Sequence, residues 1–474
     1  MTSLYIPASV GANVGEYVFA ESKNLNKIDI HNTKVGDYMF FNDPSLDNVI
    51  VPDQVTTIGY AAFGGCTGLT NITVPFVGAH VYESASEESL FGYIFGSVAT
   101  TAAKIRQIEQ RYSDTASMIK YYVPMSLTTV VVTNVDNHVG YGAFMNFEDL
   151  EFVALAEGTL APATFRIDDY AFYNCKKLKG SIDDENGFII PTNTVYLGKY
   201  AFYENDSLVR VIYDGNGFED ILEYTFYGCD SLNGFNDGEY KVIIPSSITS
   251  IGKYAFAECV SLESLDINSV TEIGAYAFYN TISNETTSLR SLTSLGEHAF
   301  DHAESLKEIS LPAGLDTVGA YAFANTYDLE QIEINNTVLS DHMFYKSTQT
   351  ALNPMELVIP EFVTEFGNYI FAEATNLYTV VMHASMSEVE ATNGKYMFAD
   401  CTGLESAVFT NNAMTILKEG TFQNATSLPE FVLPEQIITI EDYAFDNTDL
   451  ASIDITENVV SIGDYAYRNN SRVR

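Results

Sequence analysis

His298 and His302, in the run His-Ala-Phe-Asp-His, are the best-spaced pair of metal-binding side chains in the chain. Four residues apart on a helix, two imidazoles would face the same way and could share a metal ion. Five thiols stand at Cys66, Cys175, Cys229, Cys259 and Cys401, with no Cys-x-x-Cys spacing among them. Asp183-Asp184-Glu185 masses three carboxylates ahead of Gly187, enough to attract Ca²⁺ but without the spacing of a calcium loop. Acidic residues are plentiful enough to supply a paired acid and base. No glycine-rich loop ending in Gly-Lys-Ser/Thr and no Gly-x-Ser-x-Gly elbow occurs. The expectation is a protein that is not an enzyme, with no cofactor and no metal centre.

What positions these residues is a repeat. A phenylalanine ending a Tyr-Ala-Phe-like triplet recurs at Phe19, Phe40, Phe63, Phe95, Phe144, Phe172, Phe202 and Phe226. It continues at Phe256, Phe278, Phe300, Phe323, Phe344, Phe371, Phe398, Phe422 and Phe445, and Tyr467 takes its place in the last copy. Three residues later comes something small, and all five cysteines fall in that register. Cysteine there reads as a small buried residue interchangeable with Ser, Thr or Ala, and not as part of a disulfide framework. His298 stands where other copies have tyrosine.

Six residues after the anchor comes leucine (Leu25, Leu69, Leu262, Leu306, Leu404), and apolar residues then alternate in pairs such as Ile72/Val74 and Ile309/Leu311. Period-two alternation makes this piece a short strand with one face inward. Proline often closes the strand, as at Pro75, Pro312 and Pro360. An Ile-Gly pair then opens the next turn, as at Ile58-Gly59 and Ile273-Gly274, where glycine permits a tight bend or positive φ. A fixed period of this length marks a solenoid whose units bury their apolar sides only by stacking. The expected architecture is a leucine-rich-repeat solenoid of about eighteen coils spaced ~4.8 Å apart, with short parallel strands on one face and turns and short helical segments on the other.

The pattern Ile-Gly-x-Tyr-Ala-Phe-x-x-Cys-x-x-Leu-x-x-Ile-x-Ile-Pro resembles the BspA-like leucine-rich repeats, also called the Treponema pallidum type. The resemblance covers nearly the whole chain. Leu90-Phe-Gly-Tyr-Ile-Phe-Gly96, followed by Tyr121-Tyr-Val-Pro124 and Val139-Gly-Tyr-Gly-Ala-Phe144, is similar to an interrupted repeat of many bacterial members. The resemblance implies a cell-surface or secreted protein of mucosal bacteria or protists. It also implies adhesion to a protein or glycoprotein ligand: a matrix protein, mucin or cell-surface receptor.

Composition bounds the partners. With 63 acidic and 23 basic residues, the formal charge is -40. Nucleic acid would be repelled, and anionic membranes are disfavoured. The charge keeps a long sheet-rich protein soluble, and it also favours basic partners or divalent cations. No stretch is long and apolar enough for a membrane span. The chain opens on Leu4-Tyr-Ile-Pro7, already a strand of a repeat, so an export signal is expected to have been removed ahead of Met1. The whole chain, 1–474, reads as a single solenoid with an insertion at about 76–133.

Two sets of residues are candidates for binding. Within the insertion, Thr100 to Tyr112 has helix-favouring composition with apolar residues at helical spacing. Lys104, Arg106, Arg111 and Lys120 make it a net-positive island, either a flap on acidic coils of its own chain or a projecting contact site. On the outward strand face, Phe152, Arg210, Ile212, Val381, Val408 and Val432 give apolar stretches that suit either contact or simple β-propensity. The ends lack polar caps, which fits truncation from a longer protein or, alternatively, end-to-end stacking into a structural surface assembly.

Overall fold

The computed structural model describes every residue except 82–84, 100–103, 136–137, 158–163, 182–186, 236–241, 263–264, 282–286, 350–353, 386–392, 412, 471 and 473–474. The chain divides into two compact units, Met1–Glu239 and Tyr240–Arg474. Each is a parallel β-solenoid with almost no helix. Among the described residues only three short 3₁₀ turns occur, at Ala8–Val10, Glu87–Ser89 and Phe91–Ile94.

Each coil contributes a short strand, and successive coils pair these in parallel. In the first unit Asn48–Ile50, Asn71–Val74, Thr129–Val135 and Phe152–Glu157 form one such sheet. In the second unit Glu308–Leu311 pairs Gln331–Ile334, while Met355–Ile359, Leu377–Met382 and Ser406–Phe409 form a three-stranded sheet. A second row of two-residue strands lies where each Ile-Gly pair opens the turn. Ser250–Ile251, Glu272–Ile273, Ser294–Leu295 and Thr317–Val318 are examples. The alternation read from sequence holds: in Glu308–Leu311, Ile309 and Leu311 are buried. Burying such residues contributes roughly 1.5–3 kcal/mol each.

The turn face is laddered too. The N–H of Phe256 donates to the carbonyl of Ala277 at 2.9 Å, Phe278 to Ala299 at 2.8 Å and Phe300 to Ala322 at 2.8 Å. The anchor rings stack with this repeat, as Phe278–Phe300 at 5.1 Å and Phe300–Phe323 at 5.4 Å between centroids. Outside them runs a second column through Tyr254, Tyr276, His298, Tyr321, His342, Tyr369 and Tyr396, with neighbours 4.4–4.9 Å apart.

The tyrosine of the triplet and the residue two places after the anchor both take left-handed backbone: Tyr276 has φ 58° and Asn280 φ 54°. Elsewhere glycine fills these same places, as Gly142 and Gly420 in the first and Gly65 and Gly228 in the second. A non-glycine residue in this region costs of order 1 kcal/mol, offset here by ring stacking and coil-to-coil hydrogen bonds.

Of the tight bend or positive φ expected at the Ile-Gly glycines, Gly274 and its counterpart Gly319 show no positive φ, and close approach of neighbouring coils is what calls for glycine there. A Cβ at Gly319 would lie 2.1 Å from the nitrogen of Glu297, and one at Gly274 would lie 2.7 Å from that of Lys253. At these two glycines, backbone crowding between coils leaves no room for a side chain.

The residue three after the anchor is more than small. The Sγ atoms of Cys66, Cys175, Cys229 and Cys401 donate to the anchor carbonyl of the preceding coil at 3.1–3.2 Å, and Asn205 Nδ2 donates to Phe172 O at 2.9 Å. All five cysteines are buried and unpaired as disulfides. Burial pushes the Cys66 thiol up to about 12, since a thiolate there would lose its water.

The interruption is one coil split in two. Leu90–Gly96 supplies its turn: Ala61 and Phe63 donate to Tyr93 and Ile94, and Phe91 donates to Ala143. Thr129–Val135 supplies its strand. Between them Ile105–Gln110 pairs antiparallel with Ile119–Pro124. The helix expected from composition is thus a hairpin. Ile108 and Gln110 face inward with period two, and cross-strand pairing outweighs helix propensity.

Candidate functional site

The basic island is largely bound within the protein. Arg106 grips the buried Asp149 through Nε at 2.7 Å and Nη2 at 3.2 Å, and reaches Glu148 through Nη1. Asp149 also accepts from Lys177 at 2.8 Å. The Arg111 guanidinium lies 4.9 Å from the Tyr170 ring and 5.8 Å from that of Tyr141, with Asp114 at 3.6 Å. Lys120 stands 3.8 Å from Glu109 and is 60% exposed. Lys104 is exposed and has no ion-pair partner among the described residues. The hairpin therefore offers solvent two lysines and withholds two arginines.

The outward strand residues fall into separate groups. Phe152 is half-buried, with the Lys179 ammonium 5.6 Å from its ring. Arg210 and Ile212 share one strand, Ile212 opposite the exposed Ile189. In the second unit Val381 and Val408 are direct cross-strand neighbours, and Val358 stands in register on the other side of Val381. Val432, in a following coil outside any paired strand, is 83% exposed.

The three valines form the middle of a graded face. On one side the outward row is Glu356, Thr379 and Ser406. On the other, past Pro360, lie His383 and Thr410, whose Nδ1 and Oγ1 are 2.6 Å apart. There the surface dips into an open groove of about 700 Å³, lined by Val358, Pro360, Glu361, Phe362, His383, Thr410, Asn411 and Ala413. Phe362 is 45% exposed, and Val358 and Val408 are each 47% exposed. Exposed apolar side chains in contiguous array are the usual mark of a contact surface.

Sequence reasoning missed Val358 and Phe362. Val358 obeys the alternation between the buried Leu357 and Ile359, but extra residues in the sequence after Phe344 displace this strand from its usual distance behind the anchor. Phe362 lies in the turn after Pro360, where nothing in the repeat marks it.

The histidine pair lies on no helix. His298 stacks between Tyr276 and Tyr321 as one more ring of the column, and both His298 and His302 point Nδ1 at Asp301, at 2.7 and 2.8 Å. Among the described residues no group of three His, Cys, Asp or Glu side chains could hold a metal ion. Asp183-Asp184-Glu185 lies outside the described residues. No described helix is long and apolar enough to cross a membrane.

Among curated proteins no match was found. Solved structures with similar chains include a leucine-rich repeat protein from Bacteroides ovatus, 18% identical over 100% of this chain and 86% of its own, TM-score 0.41. A leucine-rich cell surface protein from Faecalibacterium prausnitzii is 20% identical over 80% of this chain and 93% of its own, TM-score 0.35. The leucine-rich repeat protein of T. pallidum is 20% identical over 50% of this chain and 82% of its own, TM-score 0.29. The family description "BspA type Leucine rich repeat region (6 copies)" matches residues 1–94, 137–239, 236–351 and 349–474. The chain belongs to the BspA-type leucine-rich repeat family.

Proposed function

We propose that this chain is a non-catalytic binding protein of the cell exterior, on the surface or secreted, that adheres to host or neighbouring-cell macromolecules. A protein or glycoprotein ligand would lie across the outward strand face. The observation that carries the reading is the in-register row Val358–Val381–Val408: exposed Val358 and Val408 flank the half-buried Val381, an aliphatic strip open to solvent on a regular scaffold. The overall acidity supports a protein ligand over nucleic acid.

The test immobilises fibronectin, fibrinogen and mucin and compares three chains at two salt concentrations: the native one, Val381→Ser/Val408→Ser, and Lys104→Ala/Lys120→Ala. Circular dichroism checks that each variant folds. Saturable binding lost only with the valines supports the strand face. Loss only with the lysines, together with salt sensitivity, moves the contact to the hairpin. If none of the three chains binds any of the ligands, host-matrix adhesion is wrong.

A further inference from the structure

The groove beside the valine row has a composition that selects among ligands. Apart from the Glu361 carboxylate, its polar side chains are engaged with one another. His383 and Thr410 pair, Asn411 Nδ2 donates to His383 O at 2.7 Å, and Asn411 Oδ1 accepts from Ala413 N at 2.7 Å. Few free donors and acceptors are left to converge on a sugar or another polar ligand, which would need them. Besides that carboxylate, what the groove leaves unsatisfied is apolar, Val358 and Phe362.

Charge narrows the choice further. From Pro354 to Ala413 the sequence holds one Lys or Arg, Lys395, and its ammonium is 2.7 Å from Glu419. Glu356, on the same face of the strand as Val358, and Glu361, in the groove wall next to Phe362, have no ion-pair partner among the described residues. The exposed apolar surface is therefore rimmed by uncompensated carboxylates, and opposite charge in a partner would steer it there. The groove is open, not enclosed, so it suits a side chain projecting from a backbone that lies outside it.

We infer that this groove takes an apolar side chain of an extended basic polypeptide segment laid along the Val358–Val381–Val408 row, with lysine or arginine side chains meeting Glu356 and Glu361. The inference rests on the protein-binding reading above and names the chemistry of the partner. The apolar anchor supplies affinity through burial, and the carboxylates supply association rate and salt dependence.

The probe is a short fluorescein-labelled peptide alternating lysine with leucine, titrated with the full chain by fluorescence anisotropy. Two controls replace lysine by glutamate or leucine by serine. Only the lysine–leucine peptide should bind, and Phe362→Ala/Val408→Ser should weaken it by about tenfold or more, the effect expected for losing buried apolar contact. Glu356→Gln/Glu361→Gln should weaken it less and flatten its salt dependence. Equal binding of the serine peptide, unchanged binding by Phe362→Ala/Val408→Ser, or displacement of the peptide by a second copy of the chain in sedimentation overturns the inference. Matrix-protein binding that survives Phe362→Ala/Val408→Ser while the peptide fails to bind discards the groove and leaves adhesion standing. Peptide binding lost with that variant, with no matrix protein bound by the native chain, upholds the groove and discards host-matrix adhesion.

Discussion

The side-chain amide of Gln110 donates to the carbonyl of Ala143 at 3.0 Å from a position with no exposure to solvent. The same nitrogen reaches Met145 O at 3.2 Å, and the amide oxygen accepts from Gly92 N at 2.9 Å. One side chain thus links both parts of the split coil's neighbourhood, acting as a piece of backbone where the hairpin displaces the ladder. Gln110→Ala strands Gly92 N and Met145 O, while Ala143 O keeps the N–H of Phe91, and it opens a cavity. It should destabilise the first unit by about 2–4 kcal/mol, whereas Lys104→Ala on the same hairpin should stay within about 0.5 kcal/mol. Urea unfolding with unchanged m-values checks both.

Two ionisable groups, the buried Asp43 and the half-buried His342, should respond to pH with opposite sign. Asp43 occupies the place three after the anchor that thiols fill elsewhere, and it accepts from Ser22 N. Burial raises its carboxyl to about 6 from 3.8. The folded state then binds more protons between those values, so its contribution is complete below pH 3.8 and is lost as pH rises through about 6. Asp43→Asn, free to donate to Phe19 O as Asn205 does to Phe172 O, should stabilise by about 1–3 kcal/mol at pH 7–8 and by nothing at pH 3.5.

His342 runs the other way. Burial in the ring column, between Tyr321 and Tyr369, holds its imidazole below 6.5, although the neighbouring Asp341 opposes this. The folded state binds fewer protons than the unfolded one just below pH 6.5. Stability is therefore full above that pH and falls as the solution is acidified towards the lowered value. His342→Tyr, which restores the common ring, should lessen the loss in melting temperature between pH 7.5 and pH 5.5. An identical slope for both chains refutes the assignment.

Backbone conformation makes a further pair of predictions. Gly319→Ala drives a methyl group into the backbone of the preceding coil and should cost about 2–4 kcal/mol. Glu21, exposed and left-handed at φ 58°, occupies the place that Gly65 and Gly228 take elsewhere. Glu21→Gly should stabilise by about 0.5–1 kcal/mol. Thermal unfolding of the two variants in one buffer tests the contrast. A loss of stability with Glu21→Gly would show that this place is not strained.

The anchor phenylalanines, the leucines and the alternating pairs were legible in sequence because each is set by burial, and burial leaves a period. Val381 and Val408 were legible for the same reason, as the outward members of that alternation. Val358 escaped because extra residues after Phe344 shifted its distance from the anchor. The hairpin was misread because Ile105 and Ile108 fit a helical spacing as readily as an inward-facing strand fits Ile108 and Gln110, and only the partner strand decides. Gln110 itself is invisible to hydropathy, since a buried amide that imitates backbone looks like any polar surface residue. The left-handed tyrosines carry a signal only in comparison between copies, where glycine at Gly142 and Gly420 marks the same place. The groove depends on turns after proline, which the repeat does not constrain.

The coil-to-coil donor found three residues after several anchors has a consequence for how such a chain changes over generations. Cys175 needs only Phe144 O behind it, and Cys229 only Phe202 O. A repeat duplicated in frame arrives with its own donor and its own acceptor, and the copies on either side keep theirs. Whole coils can be gained or lost by unequal recombination without retuning their neighbours, so the number of coils becomes a heritable quantity that varies in integer steps.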